Sequence, residues 1–318
     1  MTTALPPRAR RRSGARSTLA ATALLAACAG ADTSGAADVL DVDGSAGIET
    51  TTSSAPPPPI PEYVEIEFDA ANFTDPTTID NPFFPLVPGT QMVFEGEANR
   101  GGGQLTHRVI ITVTDLTKVI DGVRTVVVWE RDVNEGQQVE TELAFFAQDD
   151  DGNVWNLGEY PEEYESRAFA GAPSTWISGQ PGADGGIHVQ GNPQLGTPIY
   201  LEGRVPAIEF LDVAQISAMD EQTCIPLDCY EGALVIDEWD PLAQPEDGHQ
   251  LKTYAPDIGV VRVDALGGDE QEALVLAELI RLDTSQLAEV RDAALRLDQR
   301  AYQYAPRIYG VTAPIQPP

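Results

Sequence analysis

The sequence is short of positive charge. Among its 318 residues it has 19 Lys and Arg against 50 Asp and Glu, a formal net charge of −31 at pH 7. Only two of these cations are lysines, Lys118 and Lys252. A chain with this excess of acid repels phosphate groups, which excludes nucleic acid as a partner. We interpret the acid excess as a solubility feature, with cation binding as the alternative.

Histidine and cysteine are also scarce, with three residues each. His107, His188 and His249 do not follow a zinc-ligand spacing, and the chain lacks a Gly-x-Ser-x-Gly nucleophile motif. The pattern therefore favours a protein that is not an enzyme. Paired carboxylates for hydrolysis stay a lesser alternative, because acids are abundant and their spacing in the fold cannot be read from the sequence.

A long apolar run is missing, and the short one present is typical of an export signal. Residues 17–27 form an apolar run of about 11, where a membrane-spanning helix needs about 20, and five arginines precede it within residues 8–16. The run ends in Leu25-Ala26-Ala27-Cys28, which resembles a bacterial lipobox. We predict a signal peptide over residues 1–27, with an ordinary secretory signal as the alternative.

The resemblance to a lipobox implies that Cys28 becomes the lipid-bearing N-terminus. Two acyl chains on one cysteine give stable membrane anchoring, so the predicted location is extracytoplasmic and membrane-attached, on the outer membrane if the host is Gram-negative. Without residues 1–27 the chain has 14 basic and 50 acidic residues, a formal charge of −36. Residues 28–62 are rich in Ala, Gly, Ser, Thr and Pro, and we predict a disordered linker there.

From Tyr63 onward the sequence predicts a mainly β fold. Short β-branched and aromatic runs alternate with turn signals such as Asp121-Gly122 and Asp247-Gly248. Strands joined by tight turns pair antiparallel, so we expect residues 63–282 to form a curled antiparallel meander, a half-barrel or open barrel. The predicted strands are Val64–Phe68, Gln91–Glu97, Leu105–Asp115, Arg124–Asp132, Val139–Gln148, Asn153–Gly158, Pro198–Glu202, Ala233–Trp239, Gln250–Tyr254, Val260–Asp264 and Glu272–Leu282.

Residues 283–318 are predicted to hold one amphipathic helix and a tail. Apolar residues such as Leu287, Val290, Ala294 and Leu297 recur at steps of three and four after a capping Asp283 or Thr284. We expect this stripe to pack on the chain's own sheet, with docking of another envelope protein as the alternative.

A long motif and several shorter ones are spread over residues 73–265. The segments are Phe73–Thr90, which contains Asn81-Pro82-Phe83-Phe84-Pro85-Leu86-Val87-Pro88-Gly89-Thr90, then Phe94–Gly96, Ala147–Asp149, Gly152–Trp155, Glu238–Leu242 and Tyr254–Val261. Together they resemble a family of uncharacterised secreted bacterial proteins and lipoproteins. The resemblance covers most of residues 73–265 and implies no activity and no functional residues.

Two short segments could hold chemistry. Cys224 and Cys229 flank a four-residue turn, and in an oxidising envelope we expect them to form a disulfide rather than a redox pair. Asp149, Asp151 and Asn153 offer oxygen atoms at alternate positions of a loop that could bind Ca²⁺, but a hairpin turn is the favoured interpretation. The acids that follow, Glu159 to Glu165, are expected to add to the acidic surface.

The four tryptophans give the sequence-based hint of binding. Trp129, Trp155, Trp176 and Trp239 each lie in or near a predicted strand, and an aromatic-lined concave sheet can hold an apolar ligand. The alternative is that they fill the core. Trp176, in a Gly- and Pro-rich region, is expected to be an exposed or gating aromatic residue. We therefore predict a hydrophobic or envelope-derived ligand, with an envelope protein as the alternative partner.

Overall fold

The computed structural model describes residues 59–100, 102–244, 247–269 and 271–317. The predicted signal peptide, Cys28 and most of the predicted linker lie outside the described residues. The strands are β1 Thr90–Asn99, β2 Gln104–Ile120, β3 Val123–Asn134, β4 Gln137–Gln148, β5 Val154–Glu165, β6 Ala168–Gly171, β7 Trp176–Ile177, β8 Asp184–Val189, β9 Tyr200–Val205, β10 Phe210–Cys224, β11 Cys229–Trp239, β12 His249–Ala255, β13 Gly259–Leu266 and β14 Glu272–Arg281, and helix α1 spans Thr284–Tyr304.

The strands form one antiparallel sheet that closes on itself. Its order is β4-β3-β2-β1-β14-β13-β12-β11-β10-β9-β8-β5, and β5 pairs back onto β4, so twelve strands complete a barrel. The predicted mainly β meander with one C-terminal helix is confirmed, but the prediction of a half-barrel or open barrel is wrong. The β4–β5 ladder, from Glu140 opposite Glu163 to Gln148 opposite Val154, closes the barrel and removes two free sheet edges.

Tight hairpins set the register of the first strands. Asp121 and Gly122 have φ angles of 49° and 83°, and Glu135 and Gly136 have 49° and 72°. Two consecutive positive φ angles define the type I′ turn, whose twist matches that of the strands it joins. These hairpins place β2, β3 and β4 side by side.

The predicted strands differ from the observed ones in three places. Val64–Phe68 is not a strand, and its pairing in the described chain is a bridge between Val64 and Tyr200. The sequence pattern does not predict strand β10, because the second half of this strand, toward Cys224, is polar and exposed and its ladder with β11 is interrupted by bulges. The Gly- and Pro-rich region 171–197 also contains β7 and β8, which the sequence pattern does not indicate.

Helix α1 packs on the outside of the barrel. It begins with a capping box in which Asp283 accepts hydrogen bonds from the N–H groups of Ser285 and Gln286. Its buried residues Val290, Ala294, Leu297 and Ala301 face β2 and β4. The apolar stripe is therefore covered by the chain's own sheet, as expected. Within the ranges described, no helix combines the length and hydropathy needed to cross a bilayer.

One end of the barrel interior is apolar and contains part of the motif segment. Phe84, which follows the motif's Pro-rich turn, is 2% exposed and packs its ring against Phe146 and His188, with centroid separations of 5.4 and 4.7 Å. Tyr254 on β12 completes this contact at 6.4 Å. The motif segment thus places one aromatic side chain inside the barrel, where it packs across that end.

Candidate functional site

The other part of the barrel interior is lined by buried acids. Each of them is at most 7% exposed, although acids are among the residue types least often buried. They come from strands around the ring and share the barrel interior with Lys252, His107 and His188. The buried carboxylates are Glu130, Asp132, Glu140, Glu142, Glu159, Glu202, Asp212, Glu238 and Glu272.

Strand alternation explains how β3 and β4 place acids inside. Glu130 lies opposite Glu142 in the ladder, and Asp132 lies opposite Glu140, so four carboxylates share one face. Burial, and then the charges of Glu159 and Glu140, raise the pKa of Glu142 well above its ordinary value. Burial and the charge of Asp132 do the same for the pKa of Glu140. Burial and mutual repulsion therefore favour the protonated, neutral form of these carboxyl groups.

His107 is the cation of a neighbouring polar network. Its Nδ1 lies 3.2 Å from Oδ1 of Asp132, and its Nε2 lies 3.0 Å from Oε2 of Glu272. Burial alone would lower the pKa of His107, but hydrogen bonds and charges from these two acids raise it to about 10. Burial alone would raise the pKa of Glu272, but hydrogen bonds and charges from His107 and Arg100 lower it to about 2. His107 is therefore a buried cation between two acids, and its Nδ1 also lies 2.7 Å from Oδ1 of Asn134.

A second polar group surrounds Lys252. The ammonium of Lys252, on β12, forms an ion pair with Glu238 on β11, and the Tyr254 hydroxyl donates to the other oxygen of Glu238 at 3.0 Å. Ala214 on β10 lies between Glu238 and Tyr200 in the ladders, and its small side chain leaves the larger neighbours facing one another. Nδ1 of His188 lies 3.3 Å from Oε1 of Glu202. Burial, and then the charge of Lys252, lower the pKa of His188 well below its ordinary value, so its imidazole is neutral.

An apolar groove lies on the outer wall, where the described chain begins. It has a volume of about 440 Å³, and Pro59 and Pro61 form one side of it. Trp239 and His249 stack face to face there, with centroids 4.7 Å apart and planes 4° apart. The His249 ring is oriented by Asp237, whose Oδ1 lies 2.9 Å from its Nδ1. The remaining lining residues are Asp240, Pro241, Ala243, Gln244, Gly248, Leu266, Gly267 and Gly268.

The four tryptophans do not meet on one concave face. Trp129 is half-buried on the wall and donates to Thr141 at 2.8 Å. Trp155 is buried against Phe68 and Phe73. The expectation that Trp176 is exposed is wrong: its side chain is 1% exposed, and its Nε1 donates to Glu159 at 3.0 Å. Trp239 alone of the four lines the groove just described.

The predicted calcium loop is organised by its own hydrogen bonds. Oδ1 of Asp149 accepts from the N–H groups of Asp151 and Asn153, at 3.0 and 2.8 Å. Oδ2 accepts from the side chains of Asn153 and Trp155, at 2.9 and 2.8 Å. These bonds hold the turn before β5, the favoured interpretation of this loop, while Ca²⁺ binding stays a prediction.

The predicted disulfide is present. Cys224 and Cys229 are joined, with their Cα atoms 4.1 Å apart, at the end of the β10–β11 hairpin. It closes the turn at residues 225–228 and lies on an exposed part of both strands.

The buried acids are the residues that sequence analysis missed. The prediction that Glu159 and its neighbours add to the acidic surface is wrong for Glu159 and Glu162, which are both fully buried. The available signal was the alternation of acids with other residues, as at Glu130 and Asp132 or Glu140 and Glu142. Alternation shows that these side chains share a face but does not tell which face becomes the inside of a barrel.

Comparisons with known proteins find distant structural similarity. No protein-family model and no curated protein matches the chain. Among solved structures, the chain is similar to a "putative exported protein with YmcC-like fold" from Bacteroides fragilis, at 15% identity and a TM-score of 0.35. It is also similar to a "putative lipoprotein" from Parabacteroides distasonis, at 15% identity and a TM-score of 0.29. Each match covers 63% of this chain and 99% of the other.

Proposed function

We propose that this protein is an extracytoplasmic lipoprotein, anchored through lipid on Cys28, that binds an uncharged apolar envelope lipid in the Trp239 groove. The observation that carries the proposal is the groove itself, an apolar surface with a fixed aromatic pair at its centre. Its volume of about 440 Å³ is in the range of small-molecule sites, roughly 300–1,000 Å³.

The lining of the groove favours a ligand with a long apolar part. Leu266 is 47% exposed and adds accessible apolar surface to the groove beside Trp239. The Trp239 ring is held by its stack on His249, so binding would cost little side-chain entropy. Asp240 and Gln244 supply a polar side that can accept or donate hydrogen bonds to a headgroup.

Charge and position narrow the ligand class. With a formal charge of −36 after removal of residues 1–27, the chain repels anions, which favours a neutral lipid over a fatty acid or phosphate ester. Pro59 and Pro61 line the groove and directly follow the segment that leads from Cys28. A tether at that point keeps the groove close to the membrane from which such a lipid comes.

The alternative of a protein partner at helix α1 is less well supported. That hypothesis needs a free apolar stripe, whereas Val290, Ala294 and Leu297 are buried against the barrel. The groove leaves its apolar residues accessible and therefore carries the proposal.

Binding of a neutral apolar dye tests this function. We would titrate Nile red into the full chain carrying Cys28→Ser, which removes the acyl chains that would themselves bind the dye. We expect saturable one-site binding that Trp239→Ala and Leu266→Asp each weaken about tenfold or more.

Trp129→Ala is the matched control, because Trp129 is also half-buried on the outer wall but does not line the groove. It should leave the affinity unchanged. Equal binding by wild type and Trp239→Ala, or an equal loss in Trp129→Ala, would overturn the assignment of the groove.

A further inference from the structure

The polar group around Lys252 contains a set of side chains that matches a metal site. His188, Glu202 and Glu238 each offer one ligand atom, and these three atoms lie within 4.8 Å of one another. All three residues are at most 7% exposed. We propose that the barrel interior binds a divalent transition-metal ion such as Zn²⁺ through His188, Glu202 and Glu238. This site is independent of the groove and of its ligand.

The closest pair already has the separation of two ligands of one ion. Tetrahedral Zn²⁺ with bonds of about 2.0–2.1 Å places neighbouring ligand atoms about 3.3–3.4 Å apart. Nδ1 of His188 and Oε1 of Glu202 are 3.3 Å apart. The ligand atom of Glu238 lies within 4.8 Å of both, and its carboxylate is now held by Lys252 and by the Tyr254 hydroxyl.

One of the proposed ligand atoms is left without a hydrogen bond. In the described part of the chain, Oε1 of Glu202, the atom that lies 3.3 Å from Nδ1 of His188, has no hydrogen-bond partner, although Glu202 is buried. The Tyr200 hydroxyl and Oδ1 of Asp212 are buried nearby and also lack one among the described residues. Buried polar atoms without partners are costly, and a cation that accepts their lone pairs removes that cost.

Three carboxyl groups, those of Glu202, Glu238 and Asp212, lie around the single ammonium of Lys252. A bound divalent ion would supply the additional positive charge that their ionised forms require. Because the Lys252 ammonium pairs with Glu238, it competes with the metal for that carboxylate.

The ligand types select the class of ion. Ca²⁺ and Mg²⁺ take oxygen ligands, whereas one imidazole with two carboxylates is a donor set for Zn²⁺ and other first-row divalent ions. The site is therefore distinct in chemistry and position from the predicted calcium loop at Asp149.

Zinc binding by the full chain tests the proposal. After treatment with a chelator and its removal, isothermal titration with Zn²⁺ should show one saturable site, and Zn²⁺ should raise Tm. Glu202→Gln and His188→Gln, which preserve size, should each weaken binding about 100-fold or more, beyond the loss typical of residues that only support ligands. Lys252→Met should tighten binding at least tenfold, because it removes the competing ammonium.

Two controls make the result decisive. His249→Gln removes an accessible histidine on the outer wall and should leave Zn²⁺ affinity unchanged. Bound Co²⁺ gives visible d–d absorption that reports its ligands even if a variant is less stable, and this spectrum should change in His188→Gln. Unchanged affinity in both Glu202→Gln and His188→Gln, loss of binding in His249→Gln alone, or no saturable binding would overturn the proposal.

Discussion

Nζ of Lys118 lies 3.1 Å from Oδ1 of Asp298, and this buried ion pair joins strand β2 to helix α1. The same ammonium donates to the Tyr302 hydroxyl and to the carbonyl of Ala313, and it lies 4.0 Å from the centre of the Tyr309 ring. Lys252, the other lysine, is also fully buried and paired with an acid. Both lysines of this acidic chain are therefore interior counter-ions and do not contribute to its surface.

Loss of the Lys118 ammonium should destabilise the fold. Lys118→Met leaves Asp298 buried with only part of its hydrogen bonding, and breaking such a pair costs about 3 kcal/mol or more. Denaturant unfolding of the variant measures this loss. Arg108→Gln is the control, because Arg108 pairs with Glu95 while both side chains are about half exposed, and its effect should stay below about 0.5 kcal/mol. A Lys118→Met variant as stable as Arg108→Gln would contradict the structural role of the pair.

Replacement of the buried acid Glu142 by Gln should stabilise the protein, and the gain over wild type should be larger at high pH than at low pH. Burial, and then the charges of Glu159 and Glu140, put the pKa of Glu142 well above 4.5 in the folded state. A group whose pKa is raised by folding favours the folded state fully below its unfolded pKa, and this contribution is lost as pH rises through the folded pKa. Glu142→Gln does not titrate, so its Tm should exceed that of wild type by about 3 °C or more at pH 8 and by less at pH 4.

The control for that series is an exposed acid. Glu278 has a side chain that is 55% exposed, so Glu278→Gln should show no such dependence on pH. If wild type and Glu142→Gln keep a constant difference in Tm from pH 4 to pH 8, Glu142 is not a strained buried acid.

The disulfide should contribute modestly to stability. Cys224 and Cys229 close a short loop, for which the loss of chain entropy in the unfolded state is worth about 2 kcal/mol. The double variant Cys224→Ser, Cys229→Ser should lose about that much free energy of unfolding, while reductant should not affect it further. A loss above about 5 kcal/mol would mean that the bond supports more than its own hairpin.

Membrane attachment should depend on one thiol. Cys28→Ser removes the only predicted lipid site, so we expect the chain to move from the membrane fraction to the soluble fraction of bacterial cells that express it. Intact mass measurement of the wild-type chain should show the added diacylglyceryl group. Membrane fractionation that is unchanged in Cys28→Ser would contradict the lipid anchor.

The sequence predicts the individual strands better than it predicts the closure of the sheet into a barrel. Ten of the predicted strands coincide with observed ones because alternation and type I′ turns such as Asp121-Gly122 are local signals. Closure depends on the ladder between β4 and β5, and burial of Glu142 or Glu159 depends on that closure, so neither follows from local pattern. Trp176 shows the same limit, since its partner Glu159 lies 17 positions away.

The candidate groove could be predicted only in part. The sequence indicates that Trp239 is an aromatic residue in a strand, but its stacking on His249 depends on the pairing of β11 with β12. The contribution of Pro59 and Pro61 depends on the path of the chain along the wall, which a Pro-rich composition does not specify.

The most direct test of the lipid-binding account is a crystal structure with a bromine-labelled monoacylglycerol, whose anomalous signal locates the ligand without reference to a model. The account predicts one peak between Trp239 and Leu266, beside Pro61. A peak inside the barrel among the buried acids, or none at a saturating concentration of the lipid, would contradict it.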